Sequence, residues 1–213
     1  MQLEFYYAVD YWVKALKLFH AKLLKNFYII CANIINENIE DELGIKNNNI
    51  SHCDTFKNLL SNVKKYMLKN NIENKLFFDD NNLDTINKKS VFDFNNKITN
   101  IIENKSIEYI SAFLGIIEYS YVSISNIIKI YLDNYNIEQQ HYKIHELLDI
   151  KHATDFFEIA IKIINYNSTN DGNIINANNN DQLCDNRNEI REGIFDGLYW
   201  FLDMYSKLYI NNK

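Results

Sequence analysis

The sequence predicts an all-α bundle, and three observations carry that expectation. Apolar residues recur at three- and four-residue steps along most of the chain. None of the 213 residues is proline, and only five are glycine, so little interrupts a helix. A hydrophobic fraction of 47% with 14% aromatics supplies a core and argues against disorder. The expected architecture is a single domain over 1–213 with five to six helices, two of them long and central.

Residues 5–36 read as one long helix, with Val9, Trp12, Leu16, Phe19, Leu23 and Phe27 on one face. Asp54 is the expected cap of a second helix reaching about Leu68, with Phe56, Leu59, Leu60, Val63 and Met67 inward. These segments (5–68) are expected to pack on a core over 106–209. Residues 70–104 form an Asn-rich insertion with short apolar pieces, Leu76–Phe78 and Val91–Phe94, and no strand is assigned there. Ser106 to about Tyr135 is the second long helix, apolar around most of its circumference and so expected to be central. Two shorter helices follow, Glu138–Leu148 and Asp155–Asn165, the second with capping-box spacing between Asp155 and Glu158. Residues 166–185 read as a polar loop, and a last helix is expected from about Arg187 to Tyr209.

Composition excludes several functions. The net charge of −6 leaves no global electrostatic footprint for nucleic acid, so any such contact must be local. The three cysteines, Cys31, Cys53 and Cys184, are widely spaced, which speaks for reduced thiols and against a disulfide framework or a cysteine zinc site. The N-terminus lacks a secretory pattern and charge or Asn interrupts the apolar stretches, so a cytoplasmic protein without a membrane span is expected. The acidic run Glu37, Glu40, Asp41 and Glu42 reads as a solvated helix end. His141, His145 and His152 cluster around one short helix, and His141 and His145 lie one helical turn apart, as metal ligands can, but no third ligand is apparent nearby. His145 is therefore expected to pack in the bundle and His141 to be exposed, with no metal or cofactor assigned.

The stretch CDNRNEIREGIFDGLYW, Cys184–Trp200, is the most informative. Asn186 with Glu189 has capping-box spacing, so Arg187 and Asn188 are expected in a first turn whose unpaired amides favour an anion. Arg187 there suits a phosphate, which guanidinium groups bind in bidentate fashion. Ile190, Ile194, Leu198, Phe201, Tyr205 and Leu208 form one apolar line, assigned to the core. Asn188, Glu192, Phe195, Tyr199 and Leu202 form a second face, fit for a symmetric dimer seam or for a helix buried on two sides.

At Arg187, Asn188, Ile190 and Gly193, RNEIREG resembles the RNxxxH motif of the HEPN superfamily, all-α domains of RNA-cleaving toxins and abortive-infection proteins. Glu192 stands where that motif has its histidine, and Arg191 where alanine is common. The resemblance implies a metal-independent endoribonuclease leaving 2′,3′-cyclic phosphate, acting on cytoplasmic RNA in defence. It further implies a homodimer through the last helix and an antitoxin or other protein partner. Arg187, Asn188 and Glu192 would be catalytic and Arg191 would bind substrate. Glu192 then marks a degenerate site, an alternative base, or a histidine replaced to quench a toxin. The alternative is a non-enzymatic helical interaction module from an A+T-rich virus or bacterium.

Overall fold

The computed structural model describes residues 2–46, 48–72, 89–170 and 179–210. All seven elements among the described residues are helices, one more than the upper expectation: α1 (Gln2–Lys25), α2 (Ile29–Glu42), α3 (His52–Lys69), α4 (Lys89–Asn104), α5 (Ile107–Asn134), α6 (His141–Asn170) and α7 (Asn179–Ile210). The all-α class therefore holds.

Helix α5 is the hub, packing along both α6 and α7, while α1 crosses α2, α3 and α4. Ser106 caps α5 by accepting from the Tyr109 amide at 3.2 Å. Its first half is buried through Ile110, Phe113, Leu114, Ile117 and Tyr121; Ile127, Ile130 and Tyr131 in the second half face outward. α5 is also the one helix among the described residues long and apolar enough to cross a membrane, and just over half of its most apolar window is buried in the bundle.

The expected helix over 5–36 is two helices. α1 ends in a Schellman turn: Tyr28 N bonds Leu23 O at 3.0 Å and Phe27 N bonds Leu24 O at 3.0 Å. That turn sets Phe27 at φ 63 and turns its ring outward, 88% exposed, so Phe27 leaves the core line predicted for it. The same paired bonds end α2 at Gly44, α3 at Asn71 and α5 at Asn136, all at positive φ. Asparagine tolerates this region better than most residues, so two of the many asparagines have a structural task.

α3 begins one turn earlier than expected. Ser51, not Asp54, is its cap; Ser51 Oγ accepts from Asp54 N at 3.1 Å. Phe56, Leu59, Leu60 and Val63 are inward as predicted. The insertion over 70–104 contains a regular helix, α4, whose Phe94, Ile98, Ile101 and Ile102 are core residues; Leu76–Phe78 lies outside the described residues.

The two short helices predicted over 138–165 are one continuous helix, α6. Asp155 and Glu158 sit inside it, paired with Lys151 at 3.2 Å and Lys162 at 2.6 Å, so they are surface ion-pair residues and not a capping box. The polar loop assigned to 166–185 is largely helical at both ends, through Asn170 and from Asn179; residues 171–178 lie outside the described residues.

α7 therefore starts two turns before Arg187. Asn186 is not its N-cap, and the amides near Arg187 belong to a helix interior, where they are bonded along the chain. The buried line also differs from the one predicted. Gly193, Gly197, Phe201 and Met204 face inward, whereas Ile190, Ile194 and Tyr205 are half-buried and Leu198 is exposed. The two glycines let α7 lie against the α5 backbone: a Cβ on Gly193 would come within 2.5 Å of Tyr109 O, and one on Gly197 within 2.7 Å of Phe113 O.

Candidate metal centre

Four helices bring a polar cluster into the middle of this apolar bundle. α2 contributes Asp41 and Glu42, α3 His52, α5 Glu118, and α6 His145, Asp149 and His152. Glu42, Glu118, Asp149 and His152 are buried. On α6, His145, Asp149 and His152 follow at steps of four and three, so they share one face, and that face meets α5.

His152 is at the centre and is fully buried. Its Nδ1 lies 3.7 Å from Glu42 Oε1 and 3.8 Å from Glu118 Oε1. Donor atoms of the three residues all fall within 4.8 Å of one another. These separations are too long for hydrogen bonds. They are close to the spacing of about 3 to 3.5 Å between donors that each sit about 2.1 Å from one ion. Neither nitrogen of His152 has a hydrogen-bond partner among the described residues. Leaving such a group unsatisfied costs about 1–3 kcal/mol, and two buried carboxylates beside it add repulsion.

The surroundings are built to hold these three groups. His152 Nε2 points to Asp41 Oδ2 at 3.6 Å, and Lys151 at 3.3 Å and Lys46 at 3.4 Å anchor the Asp41 carboxylate. Trp12 Nε1 donates to Glu118 Oε1 at 2.7 Å. His52 Nδ1 sits 2.9 Å from Glu42 Oε2, off the line of a good hydrogen bond. His145 Nδ1 meets Asp149 Oδ1 at 2.6 Å, leaving His145 Nε2 and Asp149 Oδ2 without hydrogen-bond partners among the described residues.

Protonation follows from burial and from the crowd of like groups. Burial, with Asp149 and Glu42 nearby, pushes the Glu118 carboxyl well up; burial and Glu42 do the same to Asp149. Burial also opposes charge on Glu42, but His52, His145 and His152 outweigh it and hold that carboxyl low. Burial lowers His152, and Asp41, Glu118 and Glu42 overcome it, for a net rise. Burial lowers His145 to about 4. Charge in this cluster is thus balanced by protons that a divalent cation would displace.

Several expectations change here. Half of the acidic run 37–42 behaves as predicted: Glu37 is exposed and Glu40 half-exposed, accepting from Asn36 at 2.9 Å. Asp41 and Glu42 turn inward, so the solvated helix end is corrected for those two. His141, expected to be exposed, is fully buried, with Nδ1 3.0 Å from Thr55 Oγ1 and Nε2 3.4 Å from the Tyr121 hydroxyl. Both its nitrogens are engaged, so the pair His141–His145 is not a ligand pair. His145 packs in the bundle as expected. Sequence reasoning misses Glu118 altogether. The available signal is His145-x3-Asp149-x2-His152, three metal-competent groups on one helical face, with Glu118 near the middle of the most apolar helix.

The residues singled out on α7 lie elsewhere. Arg187, Asn188, Arg191 and Glu192 are exposed on its outer face, and so are Phe195, Tyr199 and Leu202. The opposite face of the same stretch binds α5: Glu189 Oε2 accepts from Ser106 Oγ at 3.0 Å, and the Tyr109 hydroxyl donates to Asp196. Cys31 and Cys53 are not joined in a disulfide, and the side chains of Cys184 and Leu208 lie outside the described residues. No family model matches the chain, and no curated protein or solved structure matches it.

Proposed function

We propose that this chain is a metal-dependent helical-bundle protein that binds one divalent first-row transition ion through Glu42, Glu118 and His152. The observation that carries this reading is His152 Nδ1, fully buried and unpartnered, facing two buried carboxylate oxygens at near-equal distance. A cation there neutralises Glu42 and Glu118 and satisfies the imidazole in one step. His152 Nε2–H toward Asp41 is the outer carboxylate partner that metal-bound histidines commonly have. One imidazole and two carboxylates suit Mn(II), Fe(II), Co(II) or Zn(II) better than a soft ion. Three protein ligands leave at least one position open, the mark of a reactive site and not of a closed structural one.

Cobalt(II) titration of chelator-treated protein tests this reading. The expected result is one equivalent bound, with visible bands of an ion held by nitrogen and oxygen, and loss of both in His152→Ala and Glu118→Ala. Retention of the bands in both variants, or no binding by the parent chain, contradicts it.

A second reading belongs to the outer face of α7. There Arg187, Asn188, Arg191 and Glu192 head an exposed stripe of Phe195, Tyr199 and Leu202. That juxtaposition supports a HEPN-like, metal-independent endoribonuclease completed by a second copy of the chain. RNA incubated with the parent chain, Glu192→His and Arg187→Ala in chelator distinguishes it. Cleavage to 2′,3′-cyclic phosphate by either of the first two, lost with Arg187→Ala, supports the nuclease; no cleavage by the parent or Glu192→His removes it.

A further inference from the structure

An apolar chamber of about 60 Å³ lies against the carboxylate pair. Trp12 from α1, Phe94 from α4, Ile117 from α5, and Phe201 and Met204 from α7 form its walls, and Glu42 and Glu118 its polar end. We infer that this chamber admits a small uncharged molecule of two or three heavy atoms, of the dioxygen or nitric oxide class, to the open side of the ion held by Glu42, Glu118 and His152. This rests on the metal centre proposed above.

Three features select that class. Size comes first: a water molecule claims about 30 Å³ of liquid and a benzene-binding cavity measures about 150 Å³. A chamber of about 60 Å³ has room for a diatomic or triatomic molecule and is well below the size of one that holds a ring. Charge comes second. The walls are almost wholly apolar, so an anion would leave water for hydrocarbon, and at the far end the Glu42 and Glu118 carboxylates offset the charge of the ion. The third is His145. It lines the same chamber, is buried, and has its Nδ1 fixed by Asp149 at 2.6 Å while Nε2 is without a hydrogen-bond partner among the described residues. That nitrogen is the polar group this lining residue has left to offer a small guest. Water, the third small uncharged candidate, gains little from the hydrocarbon walls, whereas an apolar diatomic gains from all of them.

Two probes separate the chamber from the metal. Xenon NMR on metal-free protein reads the cavity alone. Nitric oxide added without oxygen to Fe(II)-loaded protein reads access to the ion, through the electron paramagnetic resonance signal of a ferrous nitrosyl. The parent chain is expected to give a shifted xenon line and the nitrosyl signal. Ile117→Phe fills the chamber from a residue that is not a ligand; it should keep Fe(II) binding while weakening nitric oxide binding at least about ten-fold, as a blocked cavity requires. If Ile117→Phe does not fold, Met204→Phe closes the same space from α7. Fe(II) bound with no nitrosyl signal, or a signal unchanged in the filled variant, overturns the inference and leaves the metal centre standing. Failure to bind Fe(II) overturns both, even where xenon still reports the cavity.

Discussion

His152 depends on Asp41 as much as on Glu42 and Glu118. The ring must present Nδ1 to Glu42 and Glu118, which requires the proton on Nε2, and Asp41 Oδ2 at 3.6 Å is the group that favours it there. The His152 imidazole facing it at 3.6 Å, against some burial, and the two lysines hold the Asp41 carboxyl low, so it is charged throughout the physiological range. Asp41→Asn keeps shape and removes that charge. The expected outcome is metal affinity about 10- to 100-fold weaker with the helix content unchanged, read by competition with a fluorescent chelator. An unchanged affinity would show that Asp41 serves only Lys151 and Lys46. These residues are hard to find by inspection of the sequence. Each looks ordinary in its own segment, and Glu42 and Glu118 come together only because α2 and α5 meet α6. The α7 residues, by contrast, stand out in the sequence because they are contiguous, and that contiguity says nothing about depth.

Elements stand or fall on a few backbone contacts. Gly193 is one: a Cβ there would lie only 2.5 Å from Tyr109 O, so Gly193→Ala must lift α7 from α5, at a cost of about 1–3 kcal/mol. Urea denaturation should show the midpoint falling, while Gly115→Ala, which meets side-chain atoms of Phe156 at 3.0 Å, should be milder. Phe27 is the opposite case. A bulky residue at φ 63 carries a steric penalty, and its ring gains nothing from burial at 88% exposure. Phe27→Asn should stabilise the chain by about 1 kcal/mol, measured the same way; destabilisation would mean that the ring has a partner. Helix boundaries are legible where polar caps announce them, as at Ser106. They are obscured at Phe27, where the turn uses no glycine or proline. In α6 the polar residues Asp149 and His152 resemble a break because they face a polar interior. Around 166–185 asparagine looks like loop, yet without proline it continues both helices.

The whole molecule carries its polar cluster as a source of pH dependence. His141 and His145 are both depressed by burial, His145 to about 4. The unfolded chain therefore binds their protons first, near the ordinary value of 6.5. Their contribution to stability is fully present above that pH and is lost as pH falls from 6.5 toward about 4. In metal-free protein His141→Gln should flatten this acid limb, seen as a smaller drop in urea midpoint between neutral and mildly acidic buffer. A variant that keeps the full slope would place the acid sensitivity elsewhere. With metal present the limb should steepen, because ligand protonation releases the ion and its binding energy together.

The most direct test of the central claim is an anomalous-difference map from crystals of the metal-loaded chain, collected on both sides of the ion's absorption edge. One strong peak enclosed by Glu42, Glu118 and His152 is expected, with the His152 ring presenting Nδ1 and Asp41 behind it. A map without a peak there, with His152 hydrogen-bonded directly to either carboxylate, would contradict it.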